Sequence, residues 1–99
     1  MKSKEIVIFR EYPDGEVLAL FSEIPGSTPY RCLSYLHVGQ HGDADYDICL
    51  HRTKLAMEED YYELKKELEM IGYNLKIRKK HTQKMQTNLQ KNYKEIYGL

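Results

Sequence analysis

The sequence has few of the features that mark secreted or membrane proteins. It contains only two cysteines, Cys32 and Cys49, which form neither a C-x-x-C pair nor the dense spacing of a disulfide scaffold. The apolar run near its N-terminus, Ile6 to Phe9, is too short for a signal-peptide core or a bilayer span. We therefore expect reduced thiols, no membrane contact and a cytoplasmic location.

An excess of charge and the common catalytic motifs are also missing. The 15 Lys and Arg residues balance 15 Asp and Glu residues, so the whole chain gives no argument for a polyanionic partner. No G-x-G-x-x-G, G-x-x-x-x-G-K-[ST] or G-x-S-x-G motif occurs, which removes the familiar signatures of nucleotide binding and hydrolysis. We predict no cofactor and no metal, and we expect a binding protein rather than an enzyme.

The chain has the length of one domain. Its 99 residues, 41% of them hydrophobic, are enough to build one core without disulfides or metals. We assign residues 1–80 to a single α+β domain. Residues 81–99 are predicted to form a basic amphipathic helix, docked either on this domain or on a partner.

The first third of the chain is typical of strands. Apolar runs at residues 6–10 and 17–21 flank a turn in which Pro13 presets φ and Gly15 accepts a positive φ, so we predict a β-hairpin. Both runs are apolar at successive positions, which is typical of strands that are buried on two faces. A loop rich in proline, glycine and hydroxyl residues follows at 23–29.

Residues 30–38 are predicted to form a third strand, with Leu33 and Tyr35 on one face and Cys32 and Leu36 on the other. Residues 39–46 have two glycines and no periodicity, so we predict a tight loop. The segment 48–51 fits either a short helix capped by Asp43 or Asp45, which we favour, or a further strand.

The second half of the chain predicts helix, strand and helix. The spacing of Met57, Tyr61, Leu64, Leu68 and Ile71 indicates an amphipathic helix over 57–71, which Gly72 can end. Residues 73–78 alternate like a strand with one wet face, and Thr82 can cap a last helix over 82–97.

These elements predict an α+β fold in the order β-β-β-(short element)-α-β-α. A small, mostly antiparallel sheet of three to four strands would be covered by the 57–71 helix. The predicted core consists of Ile6, Ile8, Leu18, Leu20, Leu33, Leu64, Leu68, Ile71 and Leu75.

Histidines and carboxylates are concentrated in and around the predicted 39–46 loop. Imidazoles and carboxylates are zinc ligands, and a His with a carboxylate can do acid-base chemistry. The spacing H-x3-H-x-D-x-D matches no metal motif with a known geometry, and Asp side chains beside glycine often bind loop backbone instead. The binding candidates of this region are Tyr35, His37, Gln40, His41, Asp43, Asp45 and Tyr46.

The charges are distributed unevenly along the chain. Residues 1–60 carry six basic and eleven acidic side chains, whereas residues 61–99 carry nine basic and four acidic ones. Lysines neutralise phosphates and the nearby Tyr93 and Tyr97 could stack on bases, but a solvated polar face explains the same pattern. The candidates for a basic binding face are Arg78, Lys79, Lys80, Lys84 and Lys91.

Three functions remain open. We expect a non-catalytic binding or accessory module that binds a protein, including a second copy of itself, through the C-terminal helix or the 37–46 loop. The first alternative is nucleic-acid binding through the basic C-terminal stretch. The second is a small metal-dependent or acid-base enzyme that uses His37, His41, Asp43 and Asp45.

Two segments have distinctive patterns, G-Q-H-G-x-A-D-Y at 39–46 and E-L-x-x-E-L-x-x-I-G-Y-x-L at 63–75. On these segments, and over roughly residues 8–78, the chain resembles a family of small uncharacterised bacterial proteins that are often encoded on phages, plasmids and other mobile elements. It implies no known activity, cofactor or partner. Relatives tend to open the main helix with a hydroxyl residue and proline where this chain has Met57-Glu58, and they often carry glutamine at the position of Leu36.

Overall fold

The structure of the chain is a computed structural model that describes residues 4–36 and 40–98. Within these ranges, six strands and three helices alternate as β-β-β-β-α-β-α-β-α. The elements are β1 (Glu5–Glu11), β2 (Val17–Pro25), β3 (Arg31–Leu36), β4 (Gln40–Asp45), α1 (Tyr46–Arg52), β5 (Lys54–Leu55), α2 (Glu58–Ile71), β6 (Leu75–Ile77) and α3 (Gln83–Tyr97).

The strands form one mostly antiparallel sheet in the order β4-β3-β2-β1-β5. The outer edge of β1 is shared, because β6 pairs in parallel with Glu5 to Val7 and β5 pairs antiparallel with Arg10 and Glu11. The predicted α+β class and mostly antiparallel sheet are therefore confirmed. The prediction of three to four strands was too low, and the order of elements differs from the predicted one.

Both faces of the sheet are covered. On one, which we call the α2 face, Val7, Phe9, Ala19, Phe21 and Tyr35 pack with Leu64 and Leu68 of α2. On the other, the α3 face, the core consists of Leu18, Leu20, Cys32, Tyr46, Cys49 and Leu89. The two-sided burial predicted for the hairpin strands is thus confirmed, and α3 lies against the sheet of its own chain.

The segment predicted as a loop at 39–46 is mostly the edge strand β4. Its six residues pair in register with β3, from Arg31 opposite Asp45 to Leu36 opposite Gln40. Its composition does not favour a strand, because it has no β-branched residue and no Phe, Tyr or Trp. The pairing to β3 satisfies its backbone groups, and this tertiary contact overrides the weak local preference.

The open choice at residues 48–51 is settled in favour of a helix. Helix α1 begins after Asp45, whose carboxylate accepts a hydrogen bond from the Ile48 amide at 3.1 Å. Its other end is held by Arg10, which donates to the Leu50 carbonyl at 3.1 Å and to the Thr53 carbonyl at 2.6 Å. A cation at these carbonyls also complements the negative end of the helix dipole.

The predicted core is correct in part. Ile8, Leu18, Leu20, Leu64 and Leu68 are buried. Ile71 is wrong: its side chain is 51% exposed, because α2 ends there, at Gly72 with a φ of 123°. Ile6, Leu33 and Leu75 are half-buried. Ile6 and Leu75 lie where β1 pairs with the short strand β6, and Leu33 lies opposite Asp43 of the edge strand β4.

The ends of the helices agree with their sequence signals. Helix α2 has no side-chain cap at Met57, and acidic residues fill its first turn, as the Met57-Glu58 start led us to expect. Helix α3 is capped by Thr82, which accepts a hydrogen bond from the Met85 amide at 3.2 Å. None of the helices in the described ranges combines the length and the apolar character that crossing a bilayer requires.

Replacing Leu68 with Ala should lower the free energy of unfolding by about 2 to 5 kcal/mol, because it leaves a cavity at a fully buried position. Chemical denaturation measures this change. The matched control is Met70→Ala on the same helix, where the side chain is 88% exposed and the expected loss is below about 0.5 kcal/mol. Equal losses for the two variants would contradict the assignment of the α2 face.

Candidate functional site

The histidine and carboxylate candidates of β4 have separate structural partners. His37 lies outside the described residues, and so does the side chain of Gln40. Among the described residues, 4–36 and 40–98, no three His, Cys, Asp or Glu side chains come together as a set of metal ligands.

His41 belongs to an aromatic cluster on the α2 face. Its Nε2 lies 2.9 Å from the Tyr73 hydroxyl, and its ring packs edge-on against Tyr35 at 4.7 Å between centroids. Tyr73 stacks in turn on Phe21 at 4.8 Å. The hydroxyl that this imidazole contacts belongs to a side chain that follows α2. The buried Tyr35, a binding candidate, is part of the core here rather than an exposed contact.

Asp43 ties the β2–β3 connection to the edge strand. One carboxylate oxygen accepts from the Ser27 amide at 3.0 Å, and the other accepts from the Ser27 hydroxyl and from Arg31 Nη1 at 3.4 Å. Gly26 is required beside it, because a Cβ there would collide with the carboxylate. The hydrogen bonds from Ser27, helped by Arg31, hold the pKa of Asp43 below its usual range despite partial desolvation.

Asp45 and Tyr46 serve α1 and the α3 face. Asp45 caps the helix, as described above. Tyr46 is buried, its hydroxyl lies 2.6 Å from Nδ1 of His81, and its ring meets that imidazole edge-on at 4.8 Å. Burial raises the pKa of the Tyr46 phenol, so it stays neutral. This pair joins α1 to the segment that leads into α3.

The two thiols have an environment that suppresses nucleophilic chemistry. Both cysteines are free and buried on the α3 face. Burial raises the pKa of Cys32 to about 12, and burial also raises the pKa of Cys49. Because the thiolate is the reactive form, neither side chain is prepared to attack a substrate.

The basic candidates differ from the candidates of β4, because most of them line one surface. A groove of about 650 Å³ runs between α3 and the margin of the sheet formed by β1 and β6. We call it the basic trough; its lining residues are Ile6, Glu23, Lys76, Arg78, Lys79, Lys80, Thr82, Lys84, Met85 and Asn88. Four of the five basic candidates line it, and Lys76 joins them.

The alternation of β6 explains why these cations gather. Leu75 and Ile77 pack on the α2 face, so Lys76, which lies opposite Ile6 in register, points to the α3 face. Five cations thus line the trough against one carboxylate, Glu23, which accepts a hydrogen bond from Asn88 at 3.1 Å. Lys91 does not line it, although it lies two turns along α3 from Lys84.

A second concave surface was missed by the sequence analysis. This cavity of about 380 Å³ lies between β1, β5, β6 and the start of α2. We call it the apolar slot; its lining residues are Phe9, Leu55, Ala56, Met57, Glu58, Tyr61, Ile77, Arg78 and Lys79. Met57 and Tyr61 were assigned to the helix stripe that faces the core, and periodicity alone does not distinguish a core wall from a cavity wall.

Comparison of the chain with known proteins finds no relative. No family model, no curated protein and no solved structure matches the chain. The resemblance to the mobile-element family stays a prediction.

Replacing Asp43 with Asn should lower the free energy of unfolding by about 1 kcal/mol at neutral pH, because the amide binds Ser27 and Arg31 less strongly. Since the folded-state pKa is depressed, this stabilisation is complete above the unfolded pKa of about 3.9 and is lost as pH falls through the folded pKa. Denaturation of both proteins from neutral pH to about pH 2 measures the difference. If the difference in free energy of unfolding between the two proteins stays constant over this pH range, the ionised carboxylate of Asp43 does not provide the stabilisation.

Proposed function

We propose that this protein binds nucleic acid, with the phosphate backbone held in the basic trough. The observation that carries the proposal is the convergence of Lys76, Arg78, Lys79, Lys80 and Lys84 on one groove, although they come from a strand, a connection and a helix. If these lysines only formed the solvated face of a helix, they would all lie along that helix. Here the fold concentrates them on a concave surface, where a charged backbone can contact several at once.

The dipole of α3 adds to the same field. Its first turn contains no acidic residue, and the cap residue Thr82 lines the trough together with Lys84. The partly positive N-terminal end of a helix attracts phosphate, so it supports the lysines around it. The side chains offer one arginine and several lysines, a composition that favours backbone contacts over base readout.

The tyrosines of α3 have other roles. Tyr93 and Tyr97 pack on each other with ring centroids 4.6 Å apart. Their hydroxyls donate to the carbonyls of Ser27 and Gly26 at 3.5 and 3.4 Å. They tie α3 to the β2–β3 connection and do not line the trough. The proposal therefore rests on phosphate contacts and does not use these rings as a stacking platform.

Binding to a protein partner or to a second copy stays a prediction. Its basis in the sequence was a spare amphipathic helix, yet Met85 and Leu89 of α3 are buried against the chain's own sheet. The first half of the apolar stripe that would have met a partner is therefore occupied, whereas Ile96 and Tyr97 at its end are 62% and 52% exposed. We therefore rank the nucleic-acid alternative above it.

We also propose a cytoplasmic location, where nucleic acid is accessible. Two buried free thiols, with pKa values raised by burial, fit a reducing compartment. Such thiols would be stable there without oxidation.

The double variant Lys79→Gln, Lys80→Gln tests the proposal. Titrations of single-stranded and duplex oligonucleotides are made over a range of salt concentrations. For the unaltered protein, the logarithm of the association constant should fall steeply and linearly with the logarithm of the salt concentration. Each lost phosphate contact should reduce the slope on a single strand by about 0.7, because fewer counterions are released. The variant should bind more weakly at every salt concentration.

The matched control is Lys65→Gln, Lys66→Gln on α2, which removes the same charge from an adjacent lysine pair away from the trough. It should keep affinity and slope close to those of the unaltered protein. Absence of binding to any oligonucleotide at low salt would refute the proposal. Equal losses for the two double variants would refute the trough as the site.

A further inference from the structure

We propose that the apolar slot receives one unpaired base of a strand whose backbone lies in the basic trough, so that the ligand is single-stranded nucleic acid. This inference rests on the proposed function and adds to it the class of nucleic acid. The link between the two surfaces is Arg78 and Lys79, which line both of them. A backbone held by these two cations passes the mouth of the slot.

The shared edge of β1 creates the slot. The Arg78 amide donates to the Val7 carbonyl at 2.9 Å, and the Ala56 amide donates to the Phe9 carbonyl at 3.0 Å. Val7 and Phe9, two residues apart on β1, thus bind two separate segments, and residues of both segments line the slot. The start of α2 covers the space between them and leaves a cavity instead of a packed core.

The walls of the slot suit a flat ring. Tyr61 stacks on the buried Phe9 with ring centroids 4.4 Å apart and only 8° between the planes, so the Tyr61 ring is held in a fixed orientation at the slot. Ile77 and Met57 supply aliphatic contact, and Met57 is 61% exposed, which leaves its flexible side chain free to pack on a ligand. Stacking on protein aromatics contributes about 1 to 3 kcal/mol per base.

The polar groups at the rim favour a nucleobase over a lipid chain or an apolar peptide. Arg78 and Lys79 complement phosphate, whereas an uncharged apolar occupant would make no use of them. Among the described residues that line the slot, Glu58 is the acidic one, and its exposed carboxylate can accept hydrogen bonds from the exocyclic amine of a base. In a duplex the bases are stacked and paired, so insertion would require the cost of extruding one.

The first test compares three ligands of equal length on the unaltered protein: a single-stranded oligonucleotide, the same backbone without bases, and a blunt duplex. If one base enters the slot, the abasic strand should bind roughly 5- to 150-fold more weakly than the strand with bases. The salt slope of the two single strands should stay the same, because their phosphates are the same. The duplex should bind more weakly than the single strand.

The second test uses Tyr61→Leu, which removes the ring, beside Tyr62→Leu, which removes the neighbouring ring outside the slot. Tyr61→Leu should lose most of the preference for bases over the abasic strand while keeping the salt slope, and Tyr62→Leu should retain the preference. Circular dichroism checks that both variants fold. If Tyr61→Leu does not fold, photo-crosslinking of a 5-iodouracil strand to the unaltered protein decides, since crosslinks should fall on Met57 or Tyr61.

The outcomes separate the two proposals. No binding of any strand at low salt refutes the proposed function itself. Salt-dependent binding with equal affinity for abasic and base-bearing strands, or crosslinks confined to α3 and the 78–84 segment, refutes base insertion and leaves phosphate binding intact. Tighter binding of the duplex than of the single strand also refutes base insertion.

Discussion

The constraint on which the fold depends is that the central hairpin is apolar on both of its faces. Phe9 and Phe21 point to one face while Leu18 and Leu20 point to the other, so a single covering layer would leave half of these side chains in water. Helix α2 covers the first face, and α1 and α3 cover the second. Both strands of the hairpin and all three helices are thus bound into one structure, and the cations that precede and begin α3 are brought beside β6 as a consequence.

Local patterns predicted the elements well where burial is periodic. The apolar stripe of α2, the alternation of β6 and the cap of α3 are visible because each residue's environment follows from its own spacing. The two-sided hairpin was also predicted, yet the second covering layer was not inferred from it. A hairpin that is buried on two faces requires a covering layer on each side, and α3 has an apolar stripe long enough to supply one.

The edge strand and the sites could not be predicted in the same way. Strand β4 is stabilised by pairing with β3 and by the contacts of Asp43 with Arg31 at the start of β3 and with Ser27 in the β2–β3 connection. His41 contacts Tyr73, which follows α2 and lies 32 residues later in the sequence. The sequence shows that histidine and aspartate are concentrated in this segment. It does not show which residues they contact, because those partners come from distant segments.

The basic trough and the apolar slot lie on opposite faces of the sheet and still meet at one point. They meet because β6 is only three residues long and pairs with the first half of β1, while β5 pairs with the second half. Where β6 ends, Arg78 and Lys79 follow the sheet's margin and border both faces. A longer β6 would close the gap to β5 and fill the slot with backbone, so the short strand is what connects a cationic surface to an aromatic one.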